Sequence, residues 1–316
     1  MRTGGLALIA ALALATLPAA AQTSSAASCP PRATAPTPQQ VQDAQAQTRD
    51  RGFLWRVSKD GRTHHLFGTI LVGKLEWAFP GAKLRAALAD AQTVAFELDP
   101  LDPAVQSSLR TAGAGSATLP AALDAQLKRE LQRACLPAQA LAGLHPMMQA
   151  MTAVMVDAAR DGLQLAYGQE FVLAGAAQAR NLRTVSLETP ERQLAAIIPN
   201  DPAQAERSLA STLEQLQSGL GRKVLLHMAA AWERGDLQEI ENYERWCDCV
   251  KSDDDRAMLV ALNDERNPAL ADRIEALHGE GQRLFVAVGA LHMTGPKALP
   301  ALLKVRGFRV ERVEFR

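Results

Sequence analysis

The chain reads as an α/β (α+β) protein: a mixed β-sheet flanked by helices, with a large helical insert between its amino- and carboxy-terminal sheet-forming sections. Three observations point there. Leu284 to Val288 is a continuous apolar run, the pattern of a strand covered on both faces. Phe53 to Val57 alternates apolar and polar residues and leads into Asp60-Gly61, a strong hairpin signal. The middle of the chain is periodic at helical spacing and is interrupted by one short strand, Thr184 to Leu187.

In chain order, Arg2, the apolar run Leu6 to Leu17 and Ala19-Ala20-Ala21 form a secretory signal pattern, so residues 1–21 are expected to be removed on export. The run is shorter than the roughly 20 residues that a spanning helix needs. Residues 22–50 are rich in Ala, Gln, Pro, Ser and Thr without apolar period, and read as a flexible leader. Residues 51–316 read as a single domain. It opens with the strand at Phe53, the return strand His64 to Ile70, a helix after Pro80-Gly81 and the strand Thr93 to Leu98, closed by Asp99-Pro100. Helices follow over Leu123 to Leu131, from Pro146, over Glu170 to Arg180, and over Glu206 to Glu244 with a break near Gly219-Leu220-Gly221. Met147, Met151 and Met155 recur at i, i+4, i+8 and read as a core-facing stripe. The last section is helix, buried strand, helix and a closing strand over Phe308 to Phe315.

The 34 basic and 34 acidic residues balance to a formal net charge of +0, so no electrostatic footprint for nucleic acid exists. No second long apolar segment follows, so the mature chain is expected without a membrane span. The four cysteines, Cys29, Cys135, Cys247 and Cys249, suggest disulfides in an exported chain. Cys247 and Cys249 have one residue between them and read as poor mutual partners, which would send one to Cys135 and the other to Cys29. The rival is a zinc site on Cys-x-Cys, which lacks a nearby histidine.

Two glycine clusters sit at strand ends: Gly68-Thr69-Ile70-Leu71 and Gly289-Ala290-Leu291-His292. Ligands in open α/β sheets bind outside the carboxyl ends of strands, so His292 is a candidate ligand. The other histidines read as structural. His64 and His65 are expected as exposed hairpin residues, His145 as a helix-start residue, His227 as part of a helix, and His278 near an exposed helix end.

These clusters, with Leu54-Trp55-Arg56-Val57, Val94-Ala95-Phe96-Glu97-Leu98-Asp99, Tyr167-Gly168-Gln169-Glu170, Leu187-Glu188-Thr189 with Gln193, Trp232-Glu233-Arg234-Gly235-Asp236 and Arg266-Asn267, resemble the TraB/GumN family, which includes the Tiki-like metalloproteases. The resemblance runs from about Phe53 to the end, and rests on order and spacing more than on any one block. It implies a divalent-metal-dependent, peptidase-like hydrolase with two Gly-x-x-His histidines and an acidic residue at the site. His292 and Glu97 match that set, but Leu71 stands where the family has its first histidine, so the site is degenerate.

On this reading His292 and Glu97 are the metal ligands, with manganese, cobalt or zinc as the cation. Glu97, Arg266 and His292 are the catalytic candidates, and Gly68, Gly289, Glu170 and Asn267 line the site or support it. Each has a plainer role open to it. Glu97 and Arg266 form a buried ion pair, Asn267 caps a helix, and His292 is a satisfied strand-end residue. Three functions compete: a periplasmic or secreted metal hydrolase acting on peptides or proteins, a catalytically inactive accessory or binding module of the same fold, and a hydrolase using Glu97 and His292 as an acid/base pair without metal.

Overall fold

The structure is a computed structural model that describes residues 29–115 and 117–315. The signal segment expected over 1–21 lies outside the described residues. Six strands, β1 (Phe53–Lys59), β2 (Arg62–Thr69), β3 (Thr93–Phe96), β4 (Arg183–Ser186), β5 (Leu284–Gly289) and β6 (Arg309–Val313), form one mixed sheet. Their order is β4-β3-β5-β2-β1-β6. The hairpin turn between β1 and β2 uses Asp60 (φ 50°) and Gly61 (φ 73°), the left-handed pair that a two-residue hairpin needs. β5 runs parallel to both β2 and β3 and is inserted between them. Its apolar run has to be buried on both faces because helices cover both sides of a parallel strand. The carboxy-terminal section thus closes a sheet begun by the amino-terminal one, and β2, β3, β4 and β5 all end on the same edge.

The sheet core holds Phe67, Phe96, Phe285 and Val288, fully buried with Trp77 and Trp232. Trp232 arrives from the helix Leu220–Arg234 and donates its indole N–H to the Gly68 carbonyl at 2.8 Å, which ties the helical insert to β2. The insert also has a core of its own, in which Leu127, Met147 and Leu213 pack between the helices Ala121–Arg133, Pro146–Asp157 and Pro202–Ser218. Met147 lies in that core. Met151 packs against it, and Met155 packs against the sheet core, so the methionine stripe faces inward throughout.

The structure departs from the expected flexible leader. Pro38–Ala46 is a helix started by a capping box, in which the Thr37 hydroxyl accepts from the Gln40 N–H and the Gln40 side chain accepts from the Thr37 N–H. The polar composition hid a short helix that is capped, buries Ala44 and follows a disulfide tether. That tether is Cys29–Cys135, and the second disulfide joins Cys247 to Cys249, which corrects the expected pairing. The reason is local. Asp248 adopts φ 49°, and this left-handed residue curls the backbone until the two Cα atoms stand 5.0 Å apart, within disulfide reach. Among the described residues no helix is long and apolar enough to cross a membrane.

Candidate functional site

Strand ends build the site. β3 ends at Phe96, and the next residue, Glu97, turns its carboxylate toward β5. Its Oε1 accepts the Gly289 N–H at 2.6 Å, and its Oε2 accepts from the Arg266 Nη2 at 2.5 Å and from the Gln193 Nε2 at 3.2 Å. Gly289 leaves room here for a close approach. A Cβ at that position would stand 3.3 Å from Glu97 Oε1 and 3.6 Å from the His292 ring, so it is the carboxylate that makes the close approach.

Arg266 also holds Glu188, the second residue past β4, through both of that carboxylate's oxygens, and donates to the Leu262 carbonyl at 2.8 Å. The Arg266 and Glu188 side chains are 6% and 2% exposed. Two buried carboxylates therefore share one guanidinium. Burial alone would lower the Arg266 pKa, but hydrogen bonding to Glu188 and the Glu97 charge overcome it and raise it. Arg266 thus acts as a clamp, with its donors already engaged. Burial pushes the Glu97 carboxyl up, yet a His292 ring holding a proton toward it, Arg266 and the Gly289 N–H together outweigh it and hold it far below the usual carboxylate range.

His292 lies in the single turn Ala290–Met293 after β5 and is buried. Its Nδ1 stands 2.6 Å from Asn267 Oδ1. The Asn267 amide is oriented by its own N–H groups, which donate to the carbonyls of Lys297 (2.8 Å) and His292 (3.3 Å). Its oxygen must therefore face the ring, so His292 Nδ1 carries the proton. That leaves Nε2 aimed at Glu97 Oε1 across 3.4 Å. A lone pair facing a carboxylate oxygen is favourable only with a proton or a cation between them. An imidazole with its far N–H donated to an oxygen is also the arrangement of a metal-binding histidine. Asn267 is the first residue of the helix Asn267–Gly279 and its side chain makes no cap, so its expected capping role gives way to orienting His292.

Glu170, in the first turn of the helix Gln169–Ala179, accepts the Thr69 hydroxyl at the end of β2. Its other oxygen is buried without a hydrogen-bond partner. Burial first, and the Glu97 charge second, raise this carboxyl to about 7. Leu71 lies beyond the end of β2 and is 46% exposed, so it does not fill apolar space at the site. Gly68 packs close under the turn, where a Cβ would meet Ala290, Met293 and Phe53 at 3.3 Å.

The structure thus brings Glu97, Arg266, His292, Asn267, Gly68 and Gly289 together, with Glu170 beside them. Glu188 is a member that reasoning from the residues missed, although its signal was present: an acid within two residues of a strand end, as with Glu97. Three expected roles need correction, and the first is His65, which is half-buried and not exposed. His64 and His278 are both buried, because a helix end and the hairpin pack on each other there. His145 starts its helix as expected, accepting the Met147 N–H. His227 stacks on Trp246 with ring centroids 3.9 Å apart, a structural role.

Residues 53–312 match the model of the TraB/PrgY/gumN family. The chain is also 26% identical over 273 residues to YbaP, an uncharacterized protein of Escherichia coli (strain K12), an alignment that covers 82% of this chain and 96% of that protein. The same identity and coverage hold for the uncharacterized YbaP of Shigella flexneri. No solved structure matches. Strand-end glycine clusters, the acid after β3 and a family match across nearly the whole domain lead to one conclusion: the chain belongs to the TraB/PrgY/gumN family.

Proposed function

We propose that this is an exported hydrolase of peptides or proteins, whose strand-end site holds a divalent cation between His292 and Glu97. The observation that carries the reading is His292 Nε2 facing Glu97 Oε1 at 3.4 Å while Asn267 fixes the other ring nitrogen. Two donors bound about 2.1 Å from one tetrahedral cation stand roughly 3.4 Å apart, so the spacing suits a shared cation. The charge suits it too, because Glu97 and Glu188 have only Arg266 between them. The donor set is one short of the three usual in a catalytic zinc site, and among the described residues no group of three His, Cys, Asp or Glu is placed to hold a metal. A cation there would therefore be held weakly, with manganese or cobalt as suitable as zinc.

Bound there, such a cation lowers the pKa of a water and polarises a carbonyl. The chain's own residues do the rest. Arg266 fixes Glu97, and Asn267 fixes the His292 tautomer. Glu170, a buried carboxyl that burial raises in the metal-free chain, is the candidate proton donor to a departing amine. Export accords with the two disulfides, which suit an oxidising compartment.

A second reading is an inactive accessory module. It is favoured by the exposed Leu71 in the place of the first histidine and by the engagement of Glu97 with Arg266. Casein digestion by the purified chain separates the two. The hydrolase reading expects cleavage that a chelator abolishes, that manganese or cobalt restores, and that falls at least tenfold in His292→Ala. No cleavage in any metal by a folded chain selects the accessory module, and chelator-resistant cleavage selects metal-free acid/base chemistry.

A further inference from the structure

At the opposite end of the sheet, a second set of titratable groups is placed with its hydrogen bonds in one direction. The Leu284 N–H, at the start of β5, donates to His64 Nδ1 at 3.1 Å. A backbone N–H can only donate, so His64 Nδ1 is the acceptor and its proton sits on Nε2. His64 Nε2 stands 2.9 Å from His278 Nδ1, which must accept. The His278 proton is then on Nε2, 3.2 Å from the Asp60 carboxylate in the hairpin turn. One chain of bonds, from Leu284 through His64 and His278 to Asp60, joins β5, β2, the carboxyl end of the helix Asn267–Gly279 and the β1–β2 turn. His64 is 1% and His278 4% exposed, and Phe308 packs edge-on against both rings.

This chain has no place for another proton. Put on His64, the proton sets an N–H against the Leu284 N–H. Put on His278 Nδ1, it sets one against the His64 N–H, or forces His64 to shift its own proton back toward Leu284. Every assignment breaks one buried bond. The surrounding charges do not offset this. Arg62 donates to the His278 carbonyl at 2.9 Å, and its Nη2, 3.3 Å from His278 Nε2, makes no bond there while that nitrogen holds the proton for Asp60. His65 is the next residue on β2. Lys59 lies over Phe308 and is paired with Glu275 of the same helix at 2.7 Å. Asp60 is the one carboxylate in the chain, and it already receives the His278 proton.

We infer that Asp60, His278 and His64 form a proton-released latch, which closes the β1–β2 hairpin onto β5 and the helix Asn267–Gly279 and lets go when one further proton enters. The direction agrees with His64 itself, whose pKa burial, and then the His278, Arg62 and His65 charges, lower from 6.5 to about 4. The unfolded chain takes up that proton near 6.5 and the folded chain near 4. The latch is therefore fully closed above 6.5 and loses its hold as the pH falls between the two. The inference does not depend on the hydrolase reading, since none of its groups belongs to that site.

Two measurements on the full exported chain test it. Long-range proton–nitrogen spectra at pH 7 should show both His64 and His278 protonated on Nε2. Hydrogen exchange, corrected for its intrinsic pH dependence, should show protection of the β1–β2 amides falling up to tenfold per pH step between 6.5 and 4, the slope of one proton. His64→Gln, which keeps a donor and an acceptor without titrating, should flatten that fall. Either an Nδ1 proton on His64 or an unchanged hairpin across the window in the wild-type chain would overturn the latch, whether or not the variant folds.

Discussion

Arg266→Met lowers the stability of the folded chain by about 3–5 kcal/mol, because it leaves Glu97 and Glu188 buried beside each other with their shared guanidinium gone. Methionine fills much the same volume, so the loss reports charge and hydrogen bonding more than a cavity. Urea unfolding at pH 7 measures it as a lower midpoint at similar slope. Arg266→Lys should recover only part of the loss, since an ammonium cannot reproduce the fork that grips both Glu188 oxygens. Adding Glu188→Gln to Arg266→Met should recover part of it by removing one of the two unpaired charges. A midpoint unchanged in Arg266→Met would show that the clamp contributes nothing to the fold.

Glu170→Gln stabilises the metal-free chain, and does so only toward neutral and alkaline pH. In the unfolded chain this carboxyl ionises near its ordinary 4.5, whereas in the folded chain it keeps its proton to about 7. The folded state is at full strength below 4.5 and weakens as the pH rises through 7. The difference between those two values amounts to about 3 kcal/mol once both states are ionised. Glutamine never ionises, so the variant should match the wild type near pH 4.5 and exceed it by up to about 3 kcal/mol at pH 8. Denaturant midpoints for both proteins across pH 4 to 8 provide the check. Parallel pH profiles would show that Glu170 titrates as an ordinary surface carboxyl.

The fold was legible where one period dominated. The double-sided apolar run of β5 and the Asp60-Gly61 hairpin each have a single physical solution, and both adopt it. That β5 slots between β2 and β3 was less accessible, because strand order is set by packing between parts of the chain far apart in sequence. At the site, Glu97 and His292 were readable as strand-end polar groups. The role of Asn267 was not, since its side chain is aimed by two carbonyls from a distant loop and not by its own helix. Glu188 was overlooked because it became meaningful only once Arg266 was seen to bridge two strand ends. The Cys247–Cys249 bond was misjudged from spacing alone, because spacing does not reveal a left-handed Asp248. The buried pair of His64 and His278 was hidden for a similar reason: an alternating strand shows which face a residue takes, but not what packs on that face.

Two remote parts of the polypeptide place an imidazole and a carboxylate 3.4 Å apart, and the proposed function requires that they share one cation. A cobalt titration of the purified chain, followed by calorimetry and by visible absorption, tests it most directly. The expected result is saturable, weak binding at one site with a nitrogen/oxygen ligand spectrum. That binding should be lost in His292→Ala and strengthened in Leu71→His, which returns a third donor to the end of β2. Cobalt that binds the wild type and His292→Ala alike, or gives no heat and no spectrum with either the wild type or Leu71→His, would contradict it.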